Sequence, residues 1–205
     1  MKNLLIILVI LFQVNILFSQ INMKDITLEV RNPIPIGDNI LTNNLGGYKG
    51  IIDIGIGCNL ININNITIGM LMNSSMLKFH FNDVNLIVLS PKIKIDYRID
   101  FKKISIIPNV AIGYSNWRFS TSFTAFSETG IPYEYKFKQV DDGLTIRGAT
   151  KLAINSKKRI NWFIELAYEF TRLEKSDYGA LDNKYNRNFH VFYPGIGVIW
   201  NFNKE

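Results

Sequence analysis

Cysteine is almost absent from this chain: Cys58 is the single one in 205 residues. No internal disulfide framework can form, and a cysteine so far from the N-terminus argues against a lipoprotein anchor; its plain role is an apolar filler. Histidine is nearly as scarce. His80 and His190 stand far apart with no third ligand beside them, so no metal site and no cofactor are expected. Neither histidine has the nucleophile and orienting carboxylate that base catalysis needs, so no enzyme is expected. No Lys/Arg-rich block marks a nucleic-acid partner. Gly55-Ile56-Gly57 and Gly195-Ile196-Gly197 lie inside strand-like segments with no helix after them, which excludes a phosphate loop. Beyond the first nineteen residues no apolar run approaches the roughly 20 residues of a transmembrane helix, and no helical period occurs. If the chain enters a membrane, it does so as strands.

What is present begins with a leader. Met1-Lys2-Asn3 precedes an apolar stretch from Leu4 to Phe12, running on through Ile16-Leu17-Phe18 to Ser19. This is the layout of a secretory signal peptide, with cleavage expected before Gln20 and a single domain over 20–205. Without Lys2 the mature chain carries 22 basic and 17 acidic residues, a modest net charge of +5.

Almost every later segment alternates apolar with polar or very small side chains. Ile160, Trp162, Ile164, Leu166, Tyr168 and Phe170 share one parity, with Asn161, Glu165, Ala167, Glu169 and Thr171 on the other. Successive strand side chains point to opposite faces, so the sheet has one greasy and one hydrophilic face. Eight strands are predicted, at 25–32, 48–60, 65–75, 85–100, 104–117, 143–155, 160–172 and 188–202. Ile93, Ile95, Tyr97, Ile99 and Phe101 oppose Lys92, Lys94, Asp96, Arg98 and Asp100, and Ile52, Ile54 and Ile56 oppose Asp53, Gly55 and Gly57. Tight joins near Ile61–Asn64, Lys102–Lys103 and Asn155–Arg159 alternate with long loops at Pro33–Gly47, Phe119–Gly143 and Leu173–Arg187. Residues 74–84 read as either loop or strand extension. Pro108 and Pro194 each remove a ladder donor, and a bulge is expected at both.

Alternation is compatible both with a membrane barrel and with a soluble, lipocalin-like barrel whose greasy face lines a ligand cavity. Three features favour the membrane. The greasy face is too bulky in aggregate for an eight-stranded interior, whereas the other is rich in Gly and Ala. Its aromatics gather at strand ends, with Phe101, Trp162, Trp200 and Phe202 near the short turns and Tyr48, Tyr114, Tyr168 and Phe192 toward the long loops, as two interfacial girdles require. The helix that packs on a lipocalin barrel is missing. The expected fold is therefore an all-β, eight-stranded antiparallel up-and-down transmembrane β-barrel with short periplasmic turns and longer extracellular loops.

The polar face then fills a small lumen. With a tight turn at Lys157-Lys158-Arg159, Lys151 falls opposite Glu165 and Arg147 opposite Glu169, and Lys94, Asp96 and Arg98 join the same charged interior. Such a filled lumen excludes a general diffusion pore, and its charges oppose transport of small hydrophobic molecules, a further alternative for such a barrel. In the third outer loop, Trp117, Phe119 and Phe123 alternate, as do Tyr133, Tyr135 and Phe137 after Ser127-Glu128-Thr129-Gly130. Paired around that turn, Phe119 faces Phe137 and Phe123 faces Tyr133. These aromatics either cap the barrel mouth or form a recognition surface.

The leader ending at Ser19-Gln20, the eight strands, the long outer loops and the closing Gly195-Ile196-Gly197-Val198-Ile199-Trp200-Asn201-Phe202 strand resemble the small outer-membrane β-barrel proteins of the Bacteroidetes group. The opening Leu28-Glu29-Val30-Arg31-Asn32-Pro33 with Gly50-Ile51-Ile52-Asp53-Ile54-Gly55 is similar to theirs; Asn203-Lys204-Glu205 after Phe202 departs from barrels that end on the aromatic itself. The resemblance implies outer-membrane insertion and leaves the molecular activity open; Sec export, insertion by the barrel-assembly machinery, outer-membrane lipid as surroundings, a monomer, and a structural or recognition and adhesion role for the loops are the expectations. His190 lacks the His-X-Ser arrangement of the lipid A deacylase barrels.

Overall fold

Exposure follows parity along the chain. In the segment Ile160–Leu173 each even-numbered apolar residue is exposed and each odd-numbered residue buried until Phe170, where exposure becomes partial. The computed structural model describes residues 24–42, 47–79, 85–126, 132–154, 159–174 and 187–202, without the side chains of Ile40, 121–126 and 132–137. The predicted leader, residues 1–19, lies outside the described residues.

The strands are β1 (Asp25–Arg31), β2 (Ile34–Ile36), β3 (Tyr48–Ile63), β4 (Ile66–Phe79), β5 (Asn85–Tyr97), β6 (Ile99–Asp100), β7 (Ile104–Phe126), β8 (Pro132–Ile154), β9 (Ile160–Leu173) and β10 (Asn188–Asn201), with a 3-10 turn at Ile40–Thr42. Neighbours pair antiparallel in the order β1-β3-β4-β5-β7-β8-β9-β10, and β10 returns to β1. The result is the expected closed eight-stranded barrel. β2 continues β1 along β10 after the break at Pro33, with Ile36 opposite His190, and β6 is a short continuation of β5 past Arg98. Asn64, with φ at 55°, forms the two-residue turn between Ile63 and Ile66. This left-handed conformation is one that asparagine tolerates better than most side chains.

Three expectations are corrected. Pro108 and Pro194 keep their places in the ladders opposite Thr150 and Leu166, without a register shift. The irregularities fall in β3 instead, between Gly50 and Ile52 and between Asn59 and Ile61. At the first, Ile51 and Ile52 are both exposed, so parity flips and Tyr48 turns inward against Phe79 and Phe119, leaving the outer girdle. Gly50 is required there because a Cβ would lie 1.6 Å from the Pro33 carbonyl oxygen. Finally, 119–143 is no open loop: β7 and β8 remain paired up to Phe126 opposite Pro132. The ambiguous stretch after Ser74 is strand through Phe79, and 80–84 lie outside the described residues.

The greasy face is the outer wall. Trp162 is 61% exposed, Val110 60% and Ile93 59%, while Arg147 and Lys94 are almost fully buried. The soluble alternative needed those greasy residues around a cavity. They surround the barrel instead. Along β7 the outward apolar positions run from Ile104 to Tyr114 before giving way to Asn116 and Arg118. At ~3.3 Å per residue and a tilt of ~40° this is a band about 25 Å tall, the height of a membrane core.

Candidate functional site

The inward residues form layers. Around the middle of the barrel, Glu29 on β1 and Glu165 on β9 each lie near the same three cations. Lys151 Nζ is 2.5 Å from Glu29 Oε1 and 3.9 Å from Glu165 Oε1. Arg147 Nη2 is 2.8 Å from Glu165 and 3.7 Å from Glu29, and Arg31 Nη1 is 3.2 Å from Glu29 and 3.4 Å from Glu165. Arg31 also donates to Asp53, which accepts from Ser75. Glu169 pairs with Lys92 at 2.7 Å, and Lys94 with Asp96 at 2.5 Å. Every one of these side chains is buried. Desolvating them is costly, so the compensating ion pairs matter more for holding one arrangement than for net stability.

Of the sequence-derived lumen residues, Arg147, Lys151, Glu165, Glu169, Lys94 and Asp96 face inward, and the ladder places Lys151 opposite Glu165 and Arg147 opposite Glu169. The contacts differ from the register: Arg147 forms its ion pair with Glu165, and Glu169 reaches across to Lys92. In a narrow barrel the far wall competes with the adjacent strand. Arg98 stands apart, at the short-turn rim, donating to Asp100 at 2.7 Å and to Ser105 at 3.0 Å. Glu29 and Arg31 were missed as network members, although Thr27, Glu29 and Arg31 alternate with Leu28 and Val30 in β1.

Above the charges sits an apolar plug of Leu77, Leu86, Val88, Leu173, Phe189, Val191 and Tyr193, joined from the first loop by Leu41. Trp117 stacks on Phe189 with ring centroids 4.6 Å apart. Asn39 secures that loop, donating to the Ile36 carbonyl and accepting from the Leu41 N–H. Below the charges, Ile107, Ala153, Phe163 and Ile199 form a second small apolar layer. A cavity of about 260 Å³, bordered by Asp25, Thr27, Asp96, Lys151, Ile107 and Ile199 among others, opens at the short-turn end.

The six loop aromatics divide. Trp117 and Phe119 turn into the mouth, where they pack as part of the plug and beside it. In the extended hairpin the register is shifted from the expected one: Phe119 is opposite Gln139, Thr121 opposite Phe137, Phe123 opposite Tyr135 and Ala125 opposite Tyr133. The ladder established lower down, Tyr114 opposite Leu144, simply continues upward. His190 lies on the outer wall, its Nδ1 2.5 Å from the Tyr168 hydroxyl and its ring 5.0 Å from that of Phe170. His80 lies outside the described residues. Among the described residues no group of His, Cys, Asp and Glu could hold a metal ion.

No family profile and no curated protein matches the sequence. Solved structures do match the fold. Neisserial surface protein A superimposes with a TM-score of 0.52 at 14% identity, over 87% of this chain and 96% of that one. The attachment invasion locus protein of Yersinia pestis superimposes with a TM-score of 0.51 at 12% identity, over 87% and 98%. The chain shares the architecture of small eight-stranded outer-membrane β-barrels.

Proposed function

We propose that this chain is a bacterial outer-membrane barrel, of the kind found in the Bacteroidetes, whose membrane part anchors a surface-projecting hairpin used for recognition or attachment. In this reading residues 1–19 direct Sec export, the barrel-assembly machinery inserts a monomer, and the protein is not an enzyme. The carrying observation is the contrast between lumen and hairpin. The lumen is filled by charges and by a plug, which opposes passage. Past the apolar band β7 continues to Phe126, and beyond its last pairing with β5 at Ser120 it is paired with β8 alone, a further ~20 Å of strand. A long, paired projection on a sealed barrel is suited to presenting a surface. One barrel of similar fold is named for attachment and invasion; at 12% identity that likeness concerns the fold, and the support here comes from the hairpin.

Removing residues 120–136 from the cell-borne protein tests this. The shortened barrel should still insert, showing a faster-migrating unboiled band on SDS gels, while attachment to host cells or matrix falls. Unchanged attachment with normal insertion would refute the recognition role.

A further inference from the structure

We propose that the short-turn end of the barrel is a collar that binds anionic phospholipid headgroups, an inference resting on the reading of the chain as a membrane barrel. Among the described residues this rim carries Lys24, Arg98, Lys102, Lys103 and Arg159 against Asp25 and Asp100. Both carboxylates are engaged, Asp25 accepting from the Asn59 amide at 2.7 Å and Asp100 from Arg98. Lys24, Lys102 and Lys103 are exposed and make no ion pair with a described residue.

Their placement follows the aromatic girdle. Lys102 and Lys103 directly follow Phe101, itself 51% exposed. The Lys24 carbonyl accepts from the Phe202 N–H at 3.0 Å, and the Arg159 carbonyl from Asn201 N–H at 2.8 Å, which sets both residues beside the exposed Trp200 and Phe202. Lipid-facing aromatics settle at headgroup depth, so cations next to them along the strands lie at the phosphates. The cations are distributed over separate strand ends rather than converging on one point. That fits a ring of lipid headgroups better than a single soluble anion. Among the described residues the opposite rim sets Asp38, Asp141, Asp142 and Glu174 among Lys49, Lys78, Arg118, Lys138, Arg172 and Arg187, so the short-turn rim has the higher share of bases and the preference is assigned to its leaflet.

The test is to fold the mature chain into vesicles of phosphatidylcholine with a minority of phosphatidylglycerol, and to measure the protein-restricted fraction of spin-labelled phosphatidylglycerol and phosphatidylcholine. The expected preference for phosphatidylglycerol is about threefold or more, weakening with salt. It should fall toward parity in K24Q/K102Q/K103Q and persist in R118Q/K138Q/R172Q. Parity in the wild type, a preference kept by the first variant, or one lost equally in both variants would overturn the collar. Insertion is checked for each protein by the heat-dependent gel shift; a wild-type chain that never shifts would refute the membrane reading instead.

Discussion

Arg31 and Glu165 contact each other across a strand that separates them. Arg31 belongs to β1 and Glu165 to β9, with β10 between, and Gly195 stands opposite both in the two ladders. The Arg31 side chain crosses that glycine: a Cβ there would lie 2.2 Å from Arg31 Cγ, and Nη1 reaches Glu165 Oε2 at 3.4 Å. A residue with no side chain thus lets one cation join two strands that share no backbone hydrogen bond.

Gly195→Val should therefore destabilise the barrel by about 1–3 kcal/mol, the usual cost of overpacking. Gly148→Ala is the matched control, since a Cβ there meets nothing within 4 Å. Denaturant unfolding of the refolded barrel in detergent compares the two. Equal midpoints would show that Arg31 has room to move aside.

Lys151 tests the charged layer. Its ammonium is held by Glu29 and lies over the Phe163 ring, 4.8 Å from the centroid. Lys151→Met strands a buried carboxylate and should cost ~3–5 kcal/mol, whereas Lys151→Met combined with Glu29→Gln should recover a large part of the loss. A double variant no more stable than the single one would contradict the pairing.

The three tryptophans report on the faces separately. Trp162 and Trp200 are 61% and 49% exposed on the outer wall, and Trp117 is 2% exposed inside the mouth. In single-tryptophan variants, lipids brominated on their acyl chains should quench the fluorescence of the first two strongly and leave Trp117 nearly unaffected. Strong quenching of Trp117 would place the plug wrongly.

Trp117→Ala should remove about 3–5 kcal/mol of stability through the lost stack on Phe189 and the cavity left behind. Conductance in planar bilayers should stay at baseline, because the Arg147 and Glu165 layer closes the lumen beneath it. Channel activity in this variant would show that the plug alone seals the barrel.

The barrel itself was legible because its strands obey a period of two, and eight stretches such as Ile160 to Phe170 repeat it, with the greasy parity broken in β3. The lumen charges were legible as a set for the same reason, and the Lys151 and Glu165 register followed from turn length. Their partners were not. Glu169 meets Lys92 from another wall, and such a contact depends on the barrel's curvature, which no local pattern carries. Tyr48 was misplaced because an extra residue at Ile51 flips parity, and Gly50 beside it reads in the sequence as one more small residue of an alternating strand.

What the sequence determined by itself is therefore the wall: which residues alternate, how many strands they make, and that the bulky apolar side chains exceed what an eight-stranded interior can hold. Tertiary structure decided the interior. Closure brings inward side chains from all eight strands to within a few ångströms of one another, so charge partners, the apolar plug and the turn of Trp117 into the mouth depend on distances between residues far apart in the chain. Strand alternation is a property of neighbouring residues. Packing inside a closed surface is a property of the whole circuit.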